Sequence, residues 1–277
     1  MSHSDSLRRA ADALRSADAL LIGAGAGMGV DSGLPDFRGT QGFWRAYPVY
    51  EKLGLDFAAM ANPRWFLKEP TLAWGFYGHR LGLYRRTQPH PGFALLRAWG
   101  ERKPHGAFVF TSNVDGQFQK AGFAEERLAE IHGSIHVMQC LGRCEGLTPA
   151  APYTVEVDPE SFRARPPLPT CPDCGALLRP NILMFGDGGW DSSRTEAQQE
   201  RLAAWLDGVA PGRLALIECG AGTAIPSVRH FCERVAAHTR GTLIRINVRE
   251  PEVPAGGIGL ALGALEALRA LADVLGE

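Results

Sequence analysis

The chain has 277 residues, of which 45% are apolar and 21% charged, and its formal net charge is −1. The length suits one or two domains around a large core, and the composition is that of an ordinary globular protein; global disorder, a collagen-like repeat and a coiled coil are excluded. A near-neutral chain without a basic stripe, whose 29 basic residues include only four lysines (Lys52, Lys68, Lys103, Lys120), is not expected to bind nucleic acid.

The opening Met1-Ser-His-Ser-Asp-Ser has neither a cationic start nor an apolar stretch, so no targeting segment is expected. Leu7 to Ala17 places Leu7, Ala10, Ala11 and Leu14 on one helical face. Ala19 to Ile22 is a compact apolar run stopped by Gly23, which predicts a buried strand; similar runs lie at Ala107–Phe110, Ile182–Phe185, Arg213–Cys219 and Thr242–Val248. Continuous apolar strands separated by helical stretches predict an α/β protein with a doubly wound parallel sheet. The most apolar stretch, Gly256–Leu275, carries Glu266, Arg269 and Asp273, with Leu265, Leu268, Leu271 and Leu275 at helical spacing. It predicts an amphipathic helix on the core, not a membrane span, and a cytoplasmic location is expected.

Two stretches break the alternation. Residues 41–90 are helical in pattern and rich in aromatics (Phe43, Trp44, Tyr47, Trp65, Trp74, Tyr77), and residues 136–180 hold two cysteine pairs and a proline-rich segment. Read as insertions, they form a smaller domain of a helical and a zinc module. Residues 1–40, 91–135 and 181–277 then form the sheet domain, with the ligand site in the cleft between the two.

Gly23-Ala-Gly-Ala-Gly-Met-Gly29 follows the first strand directly. Strand, glycines, then a helix start is how backbone N–H groups approach a pyrophosphate, although Met28 and the lack of an acid some twenty residues on depart from the usual dinucleotide fingerprint. The loop continues into Val30-Asp-Ser-Gly-Leu-Pro-Asp-Phe-Arg-Gly39, and the whole run closely resembles the signature of the sirtuin family, the NAD⁺-consuming protein deacylases. Further pieces of the resemblance follow in the family's order. They are Thr111-Ser-Asn-Val-Asp-Gly116, His132-Gly-Ser134, Phe185-Gly-Asp-Gly-Gly-Trp190 beside the family's Phe-Gly-Glu, Cys219-Gly-Ala-Gly-Thr223, and Asn247-Val-Arg-Glu-Pro251 with one residue extra.

The resemblance implies a Rossmann-like domain, a small zinc-and-helix domain, and NAD⁺ bound between them as co-substrate. The cofactor residues it implies are Gly23, Ala24, Gly25, Asp36, Phe37, Arg38, Ser112, Asn113, Asp115, Gly220, Asn247 and Glu250. Asn113 and Asp115 lie two apart on an extended piece, so both side chains can face one pocket; turn capping is the plain alternative. The resemblance also assigns catalysis to His132, with Asn113: a neutral imidazole can take a ribose hydroxyl proton at physiological pH. The implied reaction transfers the acyl group of an acylated protein lysine to ADP-ribose, releasing nicotinamide and O-acyl-ADP-ribose.

Cys140-x₃-Cys144 and Cys171-x₂-Cys174, separated by 26 residues, fit one structural zinc held by four thiolates, whereas Cys219 and Cys232 read as core. On the acyl side, Tyr77 and Arg80 lie three apart on a predicted helix, a spacing similar to the Tyr-x-x-Arg pair of sirtuins that accept succinyl-, malonyl- or glutaryl-lysine. The alternative is a core tyrosine and a solvated arginine. Phe185 and Gly186 belong to an extended glycine-bearing segment that can pair with a substrate backbone or be a plain surface loop. Ser112 stands where the family usually has Gln, and the Thr-Ser-Asn-Val-Asp-Gly motif is also similar to a bacterial, macrodomain-linked branch reported as protein ADP-ribosyltransferases that lack the histidine. Retention of His132 favours deacylation. Mono-ADP-ribosyl transfer to a protein and a non-catalytic NAD⁺-sensing module are the alternatives. Neither the oligomeric state nor the protein target follows from the sequence.

Overall fold

The structure is a computed structural model that describes residues 3–36, 39–142 and 144–277. Nine strands are present among these residues: β1 (Ala19–Ala24), β2 (Ala107–Thr111), β3 (Leu128–Glu130), β4 (Gly133–Cys140), β5 (Leu147–Pro149), β6 (Leu178–Ile182), β7 (Leu214–Cys219), β8 (Thr242–Ile246) and β9 (Ile258–Leu260). Six of them make one sheet in the order β3-β2-β1-β7-β8-β9, and every pair is parallel. Ala24 pairs with both Thr111 and Cys219, so the carboxyl ends of β2, β1 and β7 lie level.

The side-chain period of a strand sorts the core into two layers. Leu20, Ile22 and Ala24 of β1 face α1 (His3–Ser16), α7 (Pro91–Glu101) and α11 (Ala264–Leu275), through Leu14, Leu96, Trp99, Leu268 and Leu271. Ala19 and Leu21 face α9 (Ser193–Asp207) and α10 (Ser227–Thr239), through Leu202, Val228, Cys232 and Val235. Because both faces are covered, β1 is buried at every residue, and this is why it reads as an unbroken apolar run. Cys219 and Cys232 are core residues, as expected.

The remaining elements build a second core. It comprises α2 (Gly39–Ala46), α3 (Pro48–Lys52), α4 (Phe57–Met60), α5 (Arg64–Lys68), the long α6 (Pro70–Arg86), and the antiparallel sheet β5-β4-β6; α8 (Gln117–Lys120) is a single turn after β2. Its centre is aromatic. Phe43 stacks on Tyr50 at 5.8 Å and meets Phe76 edge-on at 5.9 Å, and Phe76 meets Tyr77 at 4.9 Å.

The expected α/β class and parallel sheet are present, with three local differences. Ile182–Phe185 is not a strand of the parallel sheet: β6 ends at Ile182 and pairs antiparallel with β4, while residues 183–185 are loop. Their apolar character has another origin, since Leu183, Met184 and Phe185 line a cavity and Phe185 packs edge-on against Phe57 at 6.1 Å. The β4–β6 pair also runs across the expected boundaries at 135/136 and 180/181. Gly256–Leu275 divides into edge strand β9 and helix α11, which the break at Gly263 separates. No helix among the described residues is long and apolar enough to cross a membrane.

Candidate active site

The strand order reverses at the boundary between β1 and β7, and in open parallel sheets the crevice at such a point is where ligands bind. A cavity of about 610 Å³ opens there, between the carboxyl ends of the strands and the aromatic core. Its floor is backbone. Gly25 N–H donates to Cys219 O at 3.0 Å, Gly27 N–H to Gly220 O at 3.0 Å, and a Cβ on Gly25 would stand 2.7 Å from Ala221 Cα. Gly220 has φ +62° and a Cβ there would stand 2.4 Å from Gly27, so only glycine allows the two loops this approach. The helix start expected after the glycines is a 3₁₀ turn over Ala26–Ser32.

The other two predicted residues of the glycine run, Gly23 and Ala24, serve packing. Gly23 and Ala24 are inside β1 and do not line the cavity; a Cβ on Gly23 would stand 2.5 Å from Cys232 Sγ, so this glycine seats α10 on the sheet.

Beyond the end of β2, Ser112, Asn113 and Asp115 all line the cavity. Ser112 N–H donates to Ala24 O at 3.1 Å and Asn113 Nδ2 to Gly25 O at 2.9 Å, which ties this segment to the glycine loop. Asp115 Oδ1 accepts from Gln117 N–H at 2.9 Å, so it caps a turn and lines the cavity at once. Burial pushes its carboxyl up to about 6, partly offset by the Gln117 N–H, with the nearby Glu130 charge adding to the rise. His132 sits between β3 and β4 on the cavity wall. Burial lowers its pKa, against the opposing effect of a hydrogen bond to the Ser112 backbone. It is therefore an uncharged imidazole at neutral pH, held at one ring nitrogen. The other histidines nearby have structural partners: His90 Nε2 lies 3.0 Å from Met28 O and His136 Nε2 2.9 Å from Asp115 O.

On the opposite wall, α6 presents Tyr77, Arg80 and Tyr84 to the cavity. Tyr77 is 1% and Arg80 7% exposed, so Arg80 is not a solvated helix residue. Arg80 Nε and Nη2 both donate to Tyr84 Oη, at 2.9 and 2.6 Å. The Tyr77 hydroxyl is buried without a hydrogen-bond partner among the described residues, and burial raises its pKa, so it stays a neutral donor. Asp36, Phe185 and Gly186 complete the set of predicted residues on the cavity.

Asn247 and Glu250 are not on that cavity; they lie beside the loop after β7. Asn247 Nδ2 donates to Ala221 O at 2.9 Å, its Oδ1 accepts from Arg249 and Glu250 N–H, and Thr223 Oγ1 donates to Glu250 Oε1 at 2.6 Å. Arg229 Nη1 donates to Ala221 O at 3.3 Å and Glu250 O at 3.0 Å, fastening the two loops together.

The four paired cysteines converge, with all Sγ atoms within 4.8 Å of one another. Cys140 ends β4, and Cys171 opens a tight turn in which Gly175 N–H returns to Cys171 O at 2.9 Å with Gly175 at φ +73°. The Cys140–Cys174 separation of 3.5 Å is close to the roughly 3.8 Å between thiolates arranged tetrahedrally around zinc. Four thiolates without an open position suit a structural ion.

A model of the Sir2 family matches residues 25–203. The chain belongs to the Sir2 family. It is 30% identical over 241 residues to NAD-dependent protein deacylase 2 of Pyrobaculum aerophilum, which spans 86% of this chain and 83% of that protein. It is 34% identical over 188 residues to the mitochondrial NAD-dependent protein deacylase sirtuin-5 of Canis lupus familiaris, covering 61% of this chain and 56% of that protein. The chain thus spans little more than half the length of the canine relative, and likewise 59% of a deacylase from Aquifex aeolicus. A solved Sir2 homolog–NAD complex superposes with TM-score 0.70 at 24% identity, over 96% of this chain and 93% of that one, and shows the shared fold.

In this Sir2-family chain the predicted Phe37 and Arg38 lie outside the described residues. Sequence reasoning missed Tyr84, whose only signal is its position one helical turn beyond Arg80. It also missed Asp187, which lines the cavity and pairs with the buried Arg179.

Proposed function

We propose that this chain is an NAD-dependent protein-lysine deacylase that transfers the acyl group to ADP-ribose and releases nicotinamide. The observation that carries the reading is one cavity, at the sheet's switch point, shared by the glycine floor, Asn113, Asp115 and an uncharged His132. NAD⁺ supplies the electrophilic ribose carbon when bound. The backbone at Gly25 and Gly220 gives the close approach a pyrophosphate needs. Asn113 and Asp115 would offer an amide and a carboxylate to the nicotinamide end, and Asn247 and Glu250, outside the cavity, would act on the adenosine end through the loop after β7 that they fasten. His132 takes the proton of a ribose hydroxyl at its unprotonated ring nitrogen. Leu34, Phe57, Val114, Ile182 and Met184 line the same cavity and keep water from the reacting atoms. Cys140, Cys144, Cys171 and Cys174 would hold a structural zinc, which would join the turn after β4 to the loop before β6.

The substrate on this reading is an acylated protein lysine, and the lining of the cavity supports an acidic acyl group. Tyr77, Arg80 and Tyr84 put two phenols and a guanidinium on one wall, donors that can hold a terminal carboxylate. Incubation of the protein with NAD⁺ and a panel of acetyl-, succinyl-, malonyl- and glutaryl-lysine peptides, read by mass spectrometry, tests both statements. Free lysine with O-acyl-ADP-ribose is the expected product; ADP-ribosylated protein without deacylation would point to the transferase reading instead, and NAD⁺ binding without nicotinamide release to a sensor.

A further inference from the structure

We infer that the buried ion pair between Arg179 and Asp187 is a positioning device for the loop 183–189, fixing the backbone along which an acylated peptide lies. The inference rests on the deacylase reading above.

Arg179 belongs to β6 and is 1% exposed; the Asp187 side chain is fully buried. The two meet through two contacts, Nη1 to Oδ1 at 3.1 Å and Nη2 to Oδ2. The same carboxylate accepts from Met184 N–H at 3.3 Å and Gly189 N–H at 3.2 Å, and Arg179 Nη2 also donates to Ile182 O at 3.1 Å. One ion pair therefore ties residues 182, 184, 187 and 189 into a single shape. Three glycines (Gly186, Gly188, Gly189) make the segment intrinsically free, and Gly186 is held at φ +70°.

The loop is also anchored on either side. Leu183 N–H donates to His132 O at 3.0 Å and Phe185 N–H to Ala61 O at 2.9 Å, while Phe185 O accepts from Asn62 Nδ2 at 3.0 Å. The N–H groups of residues 183–185 are thus all used within the protein, and the backbone donors left for a peptide begin at Gly186. At the far end, Gln139 Nε2 donates to Gly189 O at 2.7 Å and Asn181 Nδ2 to Asp191 O at 2.9 Å.

Stability alone does not account for the pair. Removing two charges from water is expensive, and well-packed apolar residues of similar volume usually serve a core as well or better. What an apolar pair lacks is the directional hold on Met184 and Gly189 N–H, in a loop whose residues 183–187 line the cavity.

The test uses the full chain and three variants. In Asp187→Asn the peptide KM rises on the order of 10-fold while the NAD⁺ KM stays within about twofold, because the misplaced groups belong to the peptide side. Asp187→Glu, which restores the acid of the family's Phe-Gly-Glu segment, recovers most of the loss. The double variant Arg179→Met/Asp187→Leu melts close to the parent but keeps the raised peptide KM, and it decides the matter if Asp187→Asn does not fold. Recovery of the peptide KM together with stability in the double variant, or an equal rise of both KM values in Asp187→Asn, would overturn the inference. Titration of an acetyl-lysine peptide separates this from the parent reading. A parent that binds the peptide without turning it over defeats the deacylase reading, and the variants' peptide affinities still decide the role of the pair. A parent that does neither overturns both.

Discussion

The two walls of the cavity are built by different means. The sheet wall is largely backbone: Gly25 and Gly220 bring main chain to the cavity, and the side chains there (Ser112, Asn113, Asp115) are short and sit at strand ends. The wall contributed by α6 presents long buried side chains, Tyr77, Arg80 and Tyr84, beside an aromatic core. The difference teaches how one chain can hold a constant cofactor and a variable acyl group. Backbone recognition fixed by a parallel sheet tolerates few changes, whereas side chains on an inserted helix can be exchanged without disturbing the sheet.

The largest effect expected is at the residue where the walls meet. His132→Ala should lower deacylation on the order of 10²–10⁴-fold, with NAD⁺ affinity and the melting temperature nearly unchanged; equal turnover in the variant would remove His132 from the chemistry. Next comes the thiol cluster. The protein should carry one zinc per chain by elemental analysis, and Cys171→Ser/Cys174→Ser should lose it, with activity falling in step with unfolding of the small region and not selectively.

Two reciprocal substitutions sharpen the contrast between the walls. Gly25→Ala puts a Cβ 2.7 Å from Ala221 Cα. It should weaken NAD⁺ binding by about 10-fold or more, for every acyl substrate alike, since the approach it blocks is one only glycine permits. Arg80→Met should reduce desuccinylation by about 10-fold or more through loss of a charge-assisted contact and leave deacetylation nearly intact. Equal losses on both substrates in Arg80→Met would make Arg80 a structural residue, and an acyl-dependent effect of Gly25→Ala would break the division of labour.

A separate effect, on stability and not on recognition alone, is a pH dependence. The Asp115 carboxyl is pushed up to about 6 by burial, above the roughly 3.9 of an unfolded aspartate. Between these values the folded chain binds more protons than the unfolded one, so stability falls as pH rises from about 4 to about 6, by roughly 3 kcal/mol in total. Urea titrations of the parent and Asp115→Asn should show this slope in the parent only. Over the same range ionised Asp115 becomes the better acceptor, so the NAD⁺ KM should fall as pH rises. His132, whose pKa burial lowers, should already be deprotonated below pH 6.5, leaving kcat flat above neutrality.

Much of this was legible in the sequence. The apolar run at Ala19–Ile22 marked β1, the two cysteine pairs marked the metal cluster, and Asn113, Asp115 and His132 were found through the motifs that hold them. The misreadings have a common cause. Ile182–Phe185 looked like a sheet strand because a cavity lining and a buried strand demand the same apolar side chains, and periodicity over four residues cannot separate them. The packing of Gly23 against Cys232 was not legible because it lies across more than two hundred residues of chain.

By itself, then, the sequence determined the α/β class, four of the six strands of the parallel sheet (β1, β2, β7 and β8), the residues that carry the family's motifs and the thiols that gather at one point, because each is written in local periodicity or in short spacings. Only the tertiary structure decided which glycines line the cavity and which seat a helix, that Arg80 is buried against Tyr84, and that Asp187 is held by Arg179 on β6. Those are outcomes of desolvation and packing between distant segments. A charged residue's fate depends on whether its neighbours in space, not in sequence, supply hydrogen bonds to replace the water it loses.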